Sequence, residues 1–599
     1  MIEKLKKYVF SVESLLLLGF LLLFMMTGPS TVQSGDTGEL VTNSYFLRVS
    51  HPPGYPLWTL LYHLPLRYFS FATPFHVASL VTSLIAIMSM GLLLFRFRNA
   101  ASMGLVFVLG TSMIFWRYSV LPDVFSLHIF FLVLVFIVFM DPVLLEKPWV
   151  IFLVSLCVAH HHTIVFAFPM FVYAVGRGDF KKKLIFSLIF GLVSFSIYFL
   201  LMLFHPDDYG SWGHINSIKS VIHHFLRTDY GTFSLSAQDE GSNPLWVHFL
   251  LKNILINSWS MVMALVYVLI FGWKRLRQHL PALTIIFLSL LTYIITFLIG
   301  GGMSLNGSGE TTLERFLLQP VLMLFFIVIM AVNLAGISLP RWLILSFLVN
   351  GGLNVTQNFR ANDYRHNTIV EDFSANIFKS LPAKSIYYSF GDTQGFAAYY
   401  LYEVLKIRPD VVHLQPTLTF NWSVEKAATK FPDVIDPRKN KLIEGLNLQD
   451  YSFFINVPPT ELPDYYKATF YGIVFKVSRD AEAKPLMGYE CNVSSSYVWR
   501  RRSELQDFAS FEVSRVYDLE YGRCEYTYAL ELLRQGKAQD ATKHLERAIE
   551  LSPFSAKFLE RLCYVYKLQN DSREAKCNEQ LEELIASSNR QYYLYEYER

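Results

Sequence analysis

Apolar runs of about the length a helix needs to cross a bilayer recur through the first ~357 residues, and nothing else in the chain limits its fold as strongly. Hydrocarbon offers no hydrogen-bond partners, so a spanning backbone must satisfy its own polar groups. The runs lie near 8–27, 77–95, 102–116, 124–140, 149–160, 163–175, 184–204, 245–271, 281–300, 315–336 and 342–356. They predict a polytopic α-helical membrane protein with about 11 transmembrane helices. Composition agrees: of 599 residues, 53% are hydrophobic, 16% aromatic and only 17% charged. The net charge of +3 gives no ground for a nucleic-acid partner. The first run follows Lys4, Lys6 and Lys7 but no clean small-residue cleavage site follows it, so a retained helix is expected rather than a signal peptide.

Charge in the connections sets the expected orientation. Lys4/Lys6/Lys7, Arg96/Arg98, Lys147, Arg177 with Lys181–Lys183, Lys274/Arg275/Arg277 and Arg341 fall in alternate loops, which makes those loops, and the N-terminus, cytoplasmic. The other face receives 28–76, 117–123, 205–244, 301–314 and everything after about 357. The unusual polar strings gather there: Gly35-Asp36-Thr37-Gly38-Glu39-Leu40, His51-Pro52-Pro53-Gly54-Tyr55-Pro56-Leu57, Arg117–Asp123, His205–Tyr209, Arg227–Phe233 and Glu310–Arg315. N-x-S/T triplets, among them those at Asn306, Asn354, Asn421 and Asn492, also fall on this side and decide nothing, since such triplets are common by chance.

These features divide the chain into a membrane domain (1–357), an extracytoplasmic soluble α/β domain (358–520) and a TPR-like helical end (521–599). Ser385–Phe390 reads as a strand, 394–406 as a helix and Asp410–Leu414 as a second strand, a β–α–β pattern that predicts a small parallel sheet. Segments near 451–457 and 469–477 are candidate further strands. Gly391-Asp392 sits where α/β folds bind ligands, but it reads first as an everyday turn. From about 523, Tyr528–Leu533, Gly536, Ala541, Leu545, Ala548 and Pro553 follow tetratricopeptide spacing, with a weaker second unit over 556–588. So few repeats serve either as a protein-binding groove or as a structural cap. Five cysteines with no CxxC pair argue against zinc and against a disulfide framework, leaving room for one or two bridges.

Among the polar residues, Asp36 fits two roles: an N-cap of a short helix, or a general base for an acceptor hydroxyl near the membrane surface. Arg315, opening an apolar run, fits a cation for a lipid phosphate or a snorkelling arginine paired with adjacent Glu314. Asp123 fits a second acid or a helix N-cap. His160-His161-His162 invites a metal reading, but consecutive helical side chains diverge by about 100°, so three in a row cannot share one ligand set. No metal is expected, and His162 with Thr163 is expected to line a polar cavity.

Taken in order, Gly35–Leu40, His51–Leu57, Asp123-Val124-Phe125-Ser126-Leu127, His162-Thr163-Ile164, Tyr230–Leu235 and Glu314-Arg315-Phe316 resemble the membrane protein O-mannosyltransferase family whose animal member modifies IPT domains of plexins. That family is similar to GT-C glycosyltransferases, multi-helix membrane enzymes that use polyprenyl-phosphate sugars. The resemblance implies a GT-C-like fold and inverting transfer of a sugar, mannose, from a polyprenyl- or dolichyl-phosphate carrier to Ser/Thr hydroxyls of extracytoplasmic proteins. It implies Asp36 as base, Glu39 supporting it or touching the acceptor, His51 shaping the wall, and Arg315 neutralising the departing phosphate beside Glu314. Arg227, Asp229 and Tyr230 would close the site, with Asp123 and His162 lining it. The lipid-linked sugar is a substrate, and no separate cofactor is implied. The implied partners are the carrier, an acceptor protein and membrane lipids. The implied membrane is the bacterial inner membrane or the endoplasmic reticulum, with the C-terminal domain periplasmic or lumenal. A GT-C enzyme acting on a lipid or polysaccharide would share these motifs. A transporter or flippase would be expected to show inverted repeats, and none is visible in the sequence.

Overall fold

The computed structural model describes residues 11–229, 245–299, 314–415, 421–436, 438, 442–457, 465–479, 486, 488–500 and 511–587. The chain forms two compact units. One holds the chain up to Thr31 and from Leu40 to His366; the other holds Val32–Glu39 and the chain from Asn367 onward. The segment 32–39, which the sequence assigns to the membrane domain, therefore groups with the C-terminal part of the chain.

The first unit is that of a multi-pass membrane protein. Among the described residues, four stretches are long and apolar enough to cross a bilayer: Pro74–Arg96, Phe180–Leu203, Trp273–Thr296 and Arg315–Leu334. A further pair, α1 (Ala100–Thr111) and α2 (Met113–Val120), would make one more span but bends by 69° between its halves. Other expected spans are shorter apolar helices: Val12–Thr27, α3 (Phe125–Met140), Pro148–Ala159, His162–Val175 and Asn257–Phe271. The run expected over 281–300 starts earlier, in the turn at Trp273.

A bent helix surrounded by apolar side chains leaves backbone groups that must find partners. Here they come from α4 (Arg341–Asn362), the last expected span. It carries Asn350, Asn354, Asn358 and Asn362 at four-residue spacing on one buried face. Asn358 Nδ2 donates to Thr111 O at 3.0 Å and to Asn257 Oδ1 at 3.0 Å. Asn362 Nδ2 donates to Met113 O at 3.2 Å, across the bend. Asn354 Nδ2 donates to Asn257 O at 2.8 Å, and Asn350 Oδ1 accepts from Ser260 N–H at 3.1 Å. A second break is served by the same stripe: Ser258 has non-helical angles (φ −140°, ψ 28°) within Leu245–Phe271. Close helix approach makes this reach possible, since a Cβ on Gly351 would lie 2.3 Å from the Phe107 ring. Asn354 is thus fully engaged and 1% exposed, and its N-x-T triplet is not available for glycosylation in the folded chain.

In the second unit, α5 (Ile369–Ser380) precedes β1 (Ser385–Tyr388), α6 (Asp392–Glu403), β2 (Val412–Leu414), β3 (Ser452–Ile455), β4 (Tyr466–Tyr471) and β5 (Val474–Arg479). The sheet order is β2-β1-β3-β5-β4. β1 pairs in parallel with both β2 and β3, while β5 runs antiparallel to β3 and β4. The segment read as one strand over 469–477 is instead a hairpin, because Gly472 turns the chain at φ 58°. Arg408 closes the C-terminal end of α5: its Nη1 donates to Phe378 O and Leu381 O, both at 2.8 Å, while Asp410 holds the other edge of the guanidinium.

The helical end comprises α7 (Phe511–Arg534), α8 (Ala538–Leu551), α9 (Ala556–Leu568) and α10 (Glu574–Ser587). Ala529, Leu532, Ala541, Leu545 and Ala548 form one core with Phe558 and Leu562. Disulfides join Cys491 to Cys524 and Cys563 to Cys577, leaving Cys157 free. The cysteine spacing had left room for two bridges, and both form.

Replacing Asn358 with leucine should strand Thr111 O and cost about 1–3 kcal/mol. Denaturant unfolding of the detergent-solubilised chain reads this directly, and an unchanged midpoint would contradict the bridging role.

Candidate active site

Two ion pairs stand where the Arg315 span begins. Arg117 Nη1 donates to both carboxylate oxygens of Glu314, and Arg315 Nη1 lies 3.8 Å from Asp123 Oδ2. All four side chains are at most 18% exposed. The sequence had offered Glu314 as the partner of Arg315, but adjacent residues at a helix start point apart: Glu314 pairs with Arg117 on α2, and Arg315 with Asp123 in the turn before α3. The Arg117 Nε also donates to Asn362 Oδ1 at 3.3 Å, so the asparagine stripe ends on this pair. Asp123 Oδ1 accepts the Val124 N–H at 2.6 Å. The N-cap of α3 is Val124 itself, with no side-chain cap, so Asp123 contacts the next amide rather than capping the helix.

A polar network continues along the Arg315 helix. Gln319 Oε1 accepts from His128 Nε2 at 2.9 Å, and Gln319 Nε2 donates to Thr163 O at 3.2 Å. Thr163 Oγ1 pairs with His161 Nδ1 at 2.7 Å and lies 3.3 Å from His128 Nε2. His160 Nε2 bonds Val124 O at 2.8 Å. The three histidines stand at a break between the 3₁₀ turns Leu156–Ala159 and His162–Ala167, not on one regular helix. The His162 ring meets Phe225 edge-on at 4.6 Å, and its Nε2 has no hydrogen-bond partner among the described residues. His128 and Gln319 were not singled out from sequence, and Arg117 only as the start of the string Arg117–Asp123. Their signal was there, a polar or charged side chain inside an apolar helix.

The His51 turn forms a separate wall. The Gly54 N–H returns to His51 O at 2.8 Å, and the His51 ring stands edge-on to Tyr55 at 5.4 Å and Trp212 at 6.4 Å. Trp212 N–H bonds Val49 O at 2.9 Å, stitching the segment around Trp212 to the one that precedes the His51 turn. His224 bonds Ser50 O through Nε2 at 3.0 Å. Burial pushes its imidazole down to about 3, so the ring is neutral and donates that hydrogen bond. Asp229 accepts from Trp212 Nε1 at 3.2 Å and pairs with His223 Nε2 at 3.0 Å. Arg227 takes a left-handed turn, φ 54°, just before it. Tyr230 and its Tyr230–Leu235 string lie outside the described residues.

Asp36 and Glu39 belong to the 32–39 segment of the second unit. Asp36 is half-buried in the turn before the helix Thr37–Phe46, and Glu39 is 3% exposed in its first turn. Thr37 Oγ1 donates to Gln33 O at 3.1 Å, closing the turn on Asp36.

Residues 36–104 match the family model described as "Protein O-mannosyl-transferase TMEM260 N-terminal domain". The family resemblance stands. The Protein O-mannosyl-transferase TMEM260 of Mus musculus is 28% identical over 455 residues, 69% of this chain and 64% of that protein. Its counterpart in Dictyostelium discoideum is 23% identical over 472 residues, 68% of this chain and 57% of that protein. The chain thus covers less than two thirds of either relative's length. Among solved structures, ArnT from Cupriavidus metallidurans aligns over 79% of this chain and 98% of its own when bound to undecaprenyl phosphate, with TM-score 0.47 and 11% identity. Its apo form gives TM-score 0.49 and 9% identity over 78% of this chain and 98% of its own.

Arg117→Met and Glu314→Leu should each cost about 3–5 kcal/mol, because each leaves a buried charge alone, while the double variant recovers much of the loss. A double-mutant cycle on detergent unfolding measures the coupling, and simple additivity would contradict the pairing.

Proposed function

We propose that this chain is a membrane glycosyltransferase of GT-C type. It moves mannose, with inversion, from a polyprenyl-phosphate carrier to a Ser/Thr hydroxyl of a protein on the non-cytoplasmic side. The observation that carries the reading is the match of residues 36–104 to the O-mannosyl-transferase family, which begins at Asp36 and runs through the His51 turn. The buried Arg315–Asp123 and Arg117–Glu314 pairs support it, since ionised groups held in a membrane helix bundle are kept for function. The two disulfides in the second unit support an oxidising, extracytoplasmic side for it, with the N-terminus cytoplasmic.

In this reading Asp36 takes the proton from the acceptor hydroxyl as its oxygen attacks the anomeric carbon. The bond from that carbon to the phosphate oxygen breaks on the opposite face, and its electron pair leaves with the lipid phosphate. Arg315 neutralises the charge that develops there, with Asp123 and Glu314 holding the neighbouring cations in place. Protonated Asp36 then returns its proton to water. Glu39 supports Asp36, and His51, Arg227, Asp229 and Tyr230 shape the wall that receives the acceptor.

Asp36→Asn should lower transfer from a synthetic polyprenyl-phosphate mannose by about 10²–10⁴-fold, with unfolding unchanged. Full activity in this variant would overturn the base assignment. Arg315→Met should raise the donor KM and lower kcat together, whereas loss of acceptor binding alone would place Arg315 elsewhere.

A further inference from the structure

In an open α/β sheet, ligands enter where neighbouring parallel strands send their connections to opposite sides. Here that point lies between the C-terminal ends of β1 and β3, because β2 and β3 flank β1 on opposite edges. The crevice is closed from within. Asn456, just past β3, accepts the Phe390 N–H at 2.6 Å and donates to Phe390 O at 2.7 Å.

Against the first turns of α6, which follows β1, lies the chain's own 32–39 segment. Thr393, in the first turn of α6, accepts the Gly35 N–H through Oγ1 at 3.1 Å. One turn further along α6, the backbone of Phe396 sits so close to Gly38 that a Cβ there would fall 2.5 Å from Phe396 O. On the other side of the turn, Glu371 Oε2 accepts the Val32 N–H at 3.1 Å, and Gln33 Nε2 donates to Asn367 O at 2.9 Å. Glu371 is fixed in turn by Arg500, whose Nη2 donates to its Oε1 at 2.9 Å and whose Nε reaches Asp372 at 2.6 Å. The residues on both sides of Asp36 are therefore held within the C-terminal unit, Val32 and Gly35 by their main-chain N–H groups, Gln33 by its side-chain amide and Gly38 by its close approach to α6.

We propose that the α/β domain is a clamp that sets the position of Asp36, with Thr393 and the Gly38–Phe396 contact as its positioning elements, and that it has given up the ligand crevice of its fold for this role. The proposal rests on the reading of Asp36 as the base. A base displaced by about an ångström loses much of its rate without any change in the donor site.

The test is steady-state kinetics of the full-length protein with polyprenyl-phosphate mannose. Thr393→Val, which keeps shape but removes the hydrogen-bond acceptor, and Gly38→Ala, which forces the segment off α6, should each lower kcat by about 10–100-fold at unchanged donor KM. Thr393→Ser should restore the rate. Unchanged kcat in both variants, with Asp36→Asn inactive, would overturn the clamp and leave the base standing. A parallel fall in melting temperature and rate that Thr393→Ser does not rescue would also overturn it, in favour of a purely structural contact. An active Asp36→Asn would overturn the base and the clamp together.

Discussion

The membrane unit depends on one constraint: a helix that bends within an apolar bundle must have its freed amides and carbonyls bonded by its neighbours. The bend between Thr111 and Met113 meets it through the amides of Asn358 and Asn362, one reaching each side of the break. The same face serves the irregular backbone at Ser258 through Asn257, Asn354 and Asn350. Four asparagines at four-residue spacing thus turn a helix that is only moderately apolar into the element that lets two others be broken.

That arrangement reaches the buried ion pairs through Arg117. The short second half of the bent pair carries it, and Asn362 fixes the side of its guanidinium that does not face Glu314. A buried arginine with a single partner in this setting would be costly; one bonded on two edges is tolerable. Glu314 is then held, and Arg315 beside it is left to face Asp123. Gln319, one turn along, extends the polar line to His128 and Thr163.

Long-range hydropathy made the membrane character legible, and the order of the polar strings pointed to the family. Individual spans were less legible, because a window of apolar residues does not show a break such as those at Ser112, Ser258 or His160. The stripe from Asn350 to Asn362 was visible at i, i+4 spacing, yet its amides lowered the hydropathy of the helix and Asn354 read as a surface triplet. Pairs such as Arg117 with Glu314, 197 residues apart, have no local signature at all. The same holds for Gly35 and Thr393, 358 residues apart, so the membership of 32–39 in the C-terminal unit was beyond any reading of adjacent residues. The α/β segment was more transparent, since its strands alternate with helices over short distances. Only the tight turn at Gly472 was hidden inside an apolar run.

Asp36 lies on a turn held within the second unit through the main-chain N–H groups of Val32 and Gly35, just before the helix Thr37–Phe46. A carboxylate fixed in this way suits a base that must meet a mobile hydroxyl from another protein. The most direct measurement reconstitutes the full-length protein in liposomes with radiolabelled polyprenyl-phosphate mannose and a candidate acceptor protein. Label should pass to protein and be released by mild alkaline β-elimination, as expected of sugar on Ser/Thr oxygen. Label that stays extractable with lipid, or appears only in lipid or polysaccharide, would contradict protein O-mannosyl transfer.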